Sequence, residues 1–244
     1  MPLSWKTFRS EFLSGLTICS VFLIATSFSV QAQSLVLQSK AFERSPFFQT
    51  DSFFVTTNPI LSGYARTEQN LDVRVLKWVY SAEKPVFSHW MATSDRAAYP
   101  IMFGTPIAVW AVHLAKGGIS QTDAIRVSGA WLGATAGVMV LKSVIKRPRP
   151  FASIAGIQAK EQYTGARGLD AHASMPSGHA AISFALATAL SLQQPKWYVV
   201  GPSAITATSI AVSRVWLGVH YPSDVVTGAA LGVATAFIVH SLVR

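Results

Sequence analysis

Three short stretches of this chain place cations, histidines and small hydrogen-bonding residues where they could hold and attack an oxyanion. The first is Lys142-Ser-Val-Ile-Lys146-Arg147-Pro148-Arg149-Pro150. Its two prolines forbid continued helix and force an extended exit beginning at Arg147. Lys142 is thereby predicted on the last helical turn, and Arg149 on a rigid extended piece that can fold back beside it. A planar guanidinium fork and a point-charge ammonium together suit the non-bridging oxygens of a phosphoryl group. The same cations could instead be a positive flank that fixes the orientation of a membrane helix.

The second stretch is Pro176-Ser177-Gly178-His179, immediately before an apolar helical run. Ser177 and Gly178 offer a hydroxyl and unobstructed N–H groups at a helix start, where exposed donors and the helix dipole favour an anion. Ser177 could equally be only an N-cap. The third stretch, Ser213-Arg214 followed by His220-Tyr221-Pro222-Ser223-Asp224, reads as a turn into the last helix, with Pro222 near its first position. His220 and Asp224 are four apart, so in a helical turn the carboxylate reaches one imidazole nitrogen. The other nitrogen is left free to attack, as in triads where an acid fixes the tautomer of a histidine. A His–Asp pair of this kind can also be purely structural, but Arg214 and the two other clusters favour chemistry.

The elements that must position these residues are helices. Apolar segments occupy about Pro100 to Ala115, Ala124 to Ile145, His179 to Leu192, Trp197 to Val212 and Ser223 to Val243, and the last holds no Asp, Glu, Lys or Arg. At 1.5 Å per residue that segment has bilayer length, whereas several others fall short of a usual span. Before them, Leu71, Val75, Trp78 and Val79 recur at helical spacing with Arg74 and Lys77 between, predicting an amphipathic helix from Leu71 to Met91. It would either pack in the bundle or lie along a membrane surface. The predicted fold is an all-α bundle of about six helices, membrane-embedded, with the clusters at one end.

The chain has 50% apolar and 13% charged residues and a formal charge of +9. Nucleic-acid binding would spread lysines and arginines over a polar face or run them together in a tail. Here the tightest basic cluster ends an apolar helix, which fits a local phosphate site and no nucleic-acid partner. The single cysteine, Cys19, excludes disulfides and thiolate metal sites from the rest of the chain.

Residues 1–32 read as a signal peptide: Lys6 and Arg9 precede an apolar run from Phe12 to Val30, and Val30-Gln31-Ala32 offers a cleavage point. An uncleaved membrane anchor is the alternative. Residues 33–70 show turn signals and no sustained period, as expected of a loosely structured arm. Either way the chain would reach residue 33 on the exported side. Counting helices from there puts all three clusters on that side, against the cytoplasmic preference of a positive flank.

Taken together, the clusters have the form Lys-(six residues)-Arg-Pro, Pro-Ser-Gly-His, and Ser-Arg-(five residues)-His-(three residues)-Asp. In this order, and over residues 71–244, the chain resembles the type 2 phosphatidic acid phosphatase family. The resemblance implies an α-helical catalytic domain over 71–244 and a metal-independent phosphatase with no cofactor. It implies that Lys142, Arg149 and Arg214 bind phosphate with Ser177 and the Gly178 amide. His220 would then be the nucleophile, Asp224 its orienter and His179 the general acid on the leaving oxygen.

Such an enzyme would act on a phosphorylated lipid or small phosphoester in a bacterial cell membrane, with its site facing the exterior. Some family members are soluble acid phosphatases, so a soluble periplasmic form is the alternative location. A vanadium-dependent haloperoxidase, with vanadate held by His220, is the nearest rival chemistry, and a noncatalytic binder of anionic lipid is the rival class. Phe151 to Met175, with Gly156, Gly165 and Gly168, is expected to be a loop over the site that selects substrate or merely connects. Arg167, Asp170 and His172 receive no role, and His89, His113 and His240 read as packing or surface residues.

Overall fold

The computed structural model of the protein describes residues 70–115 and 118–243. The signal segment 1–32, Cys19 and all but the last residue of the 33–70 arm lie outside the described residues. Among the described residues every regular element is helical: α1 (Leu71–Tyr80), α2 (Pro85–Leu114), α3 (Gln121–Ile145), the single turn α4 (Pro150–Ser153), a 3₁₀ turn at Thr164–Ala166, α5 (Gly178–Gln193), α6 (Trp197–Trp216) and α7 (Pro222–Leu242). Six of these are full helices, as the hydrophobic pattern predicts.

Three boundaries differ from expectation. The pattern from Leu71 to Met91 is two helices, because Ser81 closes α1 through both its N–H and its hydroxyl on Lys77 O, and Pro85 opens α2 at its first position. Helix α2 then continues through Pro100 and Pro106, where a new start at Pro100 was expected. An internal proline costs about 3 kcal/mol. Burial of Ala98, Met102 and Val109 on the same helix, at about 1.5–3 kcal/mol for each larger side chain, offsets that locally. The third shift is at α6, which extends to Trp216, so Ser213 and Arg214 stand on its last turn and not in the loop beyond.

Helix α5 is the centre of the bundle, packed by α3, α6 and α7 and touched by α2. Its contact with α7 is close because Gly228 and Gly232 face the Ser177 and Ala181 carbonyls; a Cβ at either glycine would overlap backbone. One apolar core joins Ala98 and Met102 to Val127, Ala130, Ile182, Leu186 and Ile210. A second, at the end where the three clusters meet, gathers Leu76 of α1, Met91 of α2 and Trp216, Leu217, Val219 and Tyr221 around the α6–α7 turn. That second core is the floor on which His220 is set.

Three stretches are long and apolar enough to cross a membrane: Pro85–Leu114, Gln121–Ser153 and Pro222–Leu242. They turn large apolar side chains outward, among them Phe103, Ile107, Leu132, Met139, Val140, Val226, Phe237 and Ile238. Apolar surface of that extent on a bundle exterior suits hydrocarbon as its solvent.

Candidate active site

The Lys142 cluster folds as its prolines dictate. Helix α3 stops where Lys146 takes a left-handed conformation, φ 47°, and Arg149 follows in extended backbone before Pro150 opens α4. Lys142 Nζ donates to Ala173 O. Arg149, 4% exposed, donates from Nε to Asp170 O (2.8 Å) and from Nη1 to Val219 O (2.9 Å). Two of the three cations expected to bind phosphate are thus held by carbonyls of the 151–175 segment and the α6–α7 turn.

That segment is more than a connector. Ala171 O and Arg147 O accept the Arg149 and Ser174 N–H groups (2.7 and 3.0 Å), which stitches it to the end of α3. Asp170 contributes its carbonyl to Arg149 and turns its carboxylate to the His172 N–H (2.9 Å). Arg167 bonds Glu161 O and Gln162 O within the segment.

His220 lies in the turn between α6 and α7, where Gly218 (φ 73°) reverses the chain. A side chain there would crowd Gln158 O and the Tyr80 ring. The His220 ring is 3% exposed. Arg149 Nη1 stands 3.0 Å from its Nε2. Because a guanidinium only donates, Nε2 must be the unprotonated nitrogen and the ring proton sits on Nδ1. Nδ1 is 3.5 Å from Asp224 Oδ2, a long contact for a hydrogen bond but the right partner for that proton. The tautomer is therefore the one a nucleophilic Nε2 requires.

Asp224 is fully buried, and both of its carboxylate oxygens are bonded. Its Oδ2 accepts from Ser174 Oγ (2.5 Å) and from the Tyr221 N–H (2.9 Å), and its Oδ1 from Arg147 Nη1 (2.7 Å). Arg147 also donates from Nη2 to Asp72 of α1 (2.8 Å) and lies 4.0 Å over the Tyr221 ring. On sequence alone Arg147 has no role beyond its place in the basic stretch between Lys142 and Arg149. The structure instead makes it the counter-ion of two carboxylates.

Arg214, 1% exposed, forms a buried ion pair with Asp95 of α2, and its Nε and Nη2 also reach Ser213 Oγ (3.2 and 3.0 Å). Gly165 closes over the pair, with its N–H 3.3 Å from Asp95 Oδ2. Asp95 was not singled out from sequence, and Gly165 only as one of the glycines of the 151–175 loop. The only available hint was an acid inside an apolar helix, which calls for a buried partner.

Ser177 caps α5 by position but makes no side-chain cap bond, and its buried Oγ has no partner. The Nε2 of His179 and the Nδ1 of His220 are likewise buried without a hydrogen bond, although His179 keeps part of its surface open and meets the Tyr99 ring edge-on at 5.1 Å. Buried polar atoms left open are costly, about 1–3 kcal/mol each; an oxyanion beside them would satisfy Ser177 Oγ and His179 Nε2, whereas His220 Nδ1 faces Asp224.

Electrostatics ties the clusters together. Burial chiefly, and then Arg214, His220, Lys142 and Arg149, hold the His179 imidazole well below the usual histidine range. Burial likewise lowers His220 to about 3, with Arg149 and Lys142 adding to the fall and Asp224 opposing it. Both rings are thereby held neutral at pH 7.

All eight residues picked from sequence (Lys142, Arg149, Ser177, Gly178, His179, Arg214, His220 and Asp224) stand at this one end of the bundle. Among the described residues, no group of three His, Cys, Asp or Glu converges as a metal site would require.

Comparison with known proteins fits this arrangement. Residues 124–244 match the family model of the PAP2 superfamily. An undecaprenyl-diphosphatase of Sulfolobus acidocaldarius is 44% identical over 66 residues, 27% of this chain and 31% of that protein. A decaprenylphosphoryl-5-phosphoribose phosphatase of Mycolicibacterium smegmatis is 32% identical over 133 residues, 52% of this chain and 66% of the relative. The match thus spans less than two thirds of either relative. In three dimensions the chain resembles Aquifex aeolicus LpxE, with a TM-score of 0.55 at 24% identity, covering 72% of this chain and 99% of the other. That likeness establishes a shared fold.

Proposed function

The chain belongs to the PAP2 superfamily, and from that premise we propose that it is a membrane phosphatase that hydrolyses a lipid-linked phosphate ester or diphosphate through phosphohistidine chemistry at His220. The observation that carries the reading is the convergence of a correctly tautomerised, neutral His220 with Lys142, Arg149, Arg214 and the unpartnered Ser177 and His179 atoms. We assign the catalytic domain to residues 71–244.

His220 Nε2 attacks phosphorus while the equatorial oxygens are held by Lys142, Arg149, Arg214, Ser177 Oγ and the Gly178 N–H. Phosphoryl transfer asks chiefly for positioning and charge stabilisation, and these cations supply both. Arg149 must release Nε2 as its guanidinium turns to the phosphate. Asp224 steadies the positive charge that grows on the ring, and Arg147 keeps Asp224 ionised by pairing with its other oxygen. His179 gives a proton to the departing oxygen and then takes one from the water that cleaves the phosphohistidine. The bond broken in step one is P–O to the leaving group; in step two it is P–Nε2, and phosphate departs.

His179 enters with a depressed proton affinity. A phosphate dianion among these groups reverses the local charge and raises it, so substrate binding arms the general acid. This reading needs no metal, and activity is expected to persist in EDTA.

The outward apolar surface of three span-length helices supports a substrate presented by a bilayer. The names of the two relatives point to isoprenyl-linked phosphates within that class. We place the site on the exported face, following the signal-like N-terminus and the helix count, in a bacterial cell membrane. A haloperoxidase is disfavoured, since both relatives are named as phosphatases.

Phosphate release by the purified, reconstituted protein from an isoprenyl diphosphate, phosphatidic acid and a short soluble monoester tests the proposal. Lipid substrates are expected to be preferred and vanadate to inhibit; absence of release from every ester, or halide oxidation with vanadate and peroxide, would oppose it.

A further inference from the structure

Besides its apolar packing, helix α1 reaches the catalytic end through Asp72. Asp72 Oδ1 accepts the Ser223 N–H (2.8 Å) at the start of α7, and Asp72 Oδ2 is shared by Ser223 Oγ and Arg147 Nη2. Arg147 follows the end of α3, and its Nη1 holds Asp224. Since both the α3 and the α7 stretches are long and apolar enough to cross a bilayer, α1 lies at the level where they leave it.

The outward side of α1 suits that level. Val73, Leu76 and Val79 face the bundle, whereas Leu71, Val75 and Trp78, at positions i, i+4 and i+7, form an exposed apolar stripe; Leu71 is 70% and Trp78 76% exposed. Arg74 and Lys77 lie beside the stripe, and Val86 and Trp90 are further exposed apolar residues at the start of α2. Water gives such a face nothing. Tryptophan with aliphatic and basic neighbours is what the headgroup region accommodates, and the positive flank is complementary to anionic lipids.

We propose that α1 is an interfacial helix whose Leu71–Val75–Trp78 stripe rests on the bilayer surface, and that Asp72 and Arg147 carry this seating to Asp224. The proposal rests on the membrane reading given above. Seating fixes the position of Asp72, which fixes one fork of Arg147, and the other fork then holds Asp224 against His220. A helix lifted from the surface removes one anchor of Arg147 and loosens its grip on Asp224 Oδ1, while Ser174 and the Tyr221 N–H still hold Oδ2. Asp72 and Arg147 are thus positioning residues that touch no reacting atom.

Two measurements test it on the full chain reconstituted in vesicles of zwitterionic and anionic lipid. A nitroxide on Trp78→Cys, in a Cys19→Ser background, is expected at headgroup depth. Accessibility like that of a fully aqueous site, or shielding from both aqueous and lipid-soluble relaxants, as beneath a protein segment, would overturn the seating. In Leu71→Glu/Trp78→Glu, kcat is expected to fall about tenfold for a short, soluble monoester as well as for lipid, with KM for the short ester unchanged. An effect confined to KM for the lipid, or none on kcat, would overturn the coupling to Asp224. Phosphate release by the wild type is the separate check of the hydrolase reading, and Trp78→Phe, which keeps the apolar face, is expected to retain full kcat.

Discussion

Arg149 Nη1 lies 3.0 Å from His220 Nε2, so a guanidinium occupies the lone pair of the nitrogen proposed to attack phosphorus. The arrangement fixes the ring's tautomer and lowers its basicity, at the cost of a contact that substrate must displace. Replacing Arg149 with Gln is expected to raise the imidazole's proton affinity, because a cation is lost from beside it, and to reduce kcat/KM by 10²- to 10³-fold. Proton NMR of the His220 ring checks the first, and turnover the second. Arg149→Lys is expected to rescue little, since a single ammonium cannot reach Asp170 O, Val219 O and a phosphate together.

Asp95 and Arg214 form a buried pair that Gly165 covers. Asp95→Asn leaves a buried guanidinium without its counter-charge, and breaking such pairs costs about 3–5 kcal/mol. The variant is expected to melt lower than wild type and to regain more stability on adding inorganic phosphate, which supplies the missing negative charge. Equal phosphate-induced shifts in both proteins would contradict this. Gly165→Ala puts a methyl group into Asp95 Oδ1 and Arg214 Nη1 and is expected to lower kcat/KM at least tenfold.

The pH dependence follows from the two neutral rings. A buried histidine with lowered proton affinity is uncharged when folded, whereas the unfolded chain takes up its proton below about pH 6.5. Stability of the anion-free protein is therefore complete above that pH. It is lost as pH falls toward 3, by up to about 1.4 kcal/mol per pH unit for His220. His220→Gln is expected to flatten the acid limb of the melting profile. For activity, one proton must be shared between His179 and the phosphate, and the monoester itself brings it while it is a monoanion. With a second phosphate ionisation near pH 6, kcat/KM is expected to fall tenfold per unit above that pH.

The eight candidate residues could be picked out because each sits within a few positions of a helix boundary that proline, glycine or a cap announces. Pro148 and Pro150 end α3 beside Lys142 and Arg149, and Pro222 starts α7 beside His220 and Asp224. Asp72, Asp95, Arg147 and Gly165 were not legible as site components. Their partners lie across the fold: Asp72 meets Ser223 and Arg147, and Asp95 meets Arg214, so only tertiary packing creates the pairing. The continuity of α2 through Pro100 and Pro106 was hidden for a similar reason, since neighbouring helices offset a local penalty that sequence alone assigns in full.

The central claim is a covalent bond between phosphorus and His220 Nε2. Rapid-quench mass spectrometry under neutral to alkaline conditions, during turnover of a lipid phosphate, measures it directly. The account predicts phosphate on His220 in the wild type, a larger fraction in His179→Ala where its hydrolysis is slowed, and less residual turnover in His220→Ala than in His179→Ala. Unchanged turnover in His220→Ala, or phosphate carried by a different side chain, would contradict it.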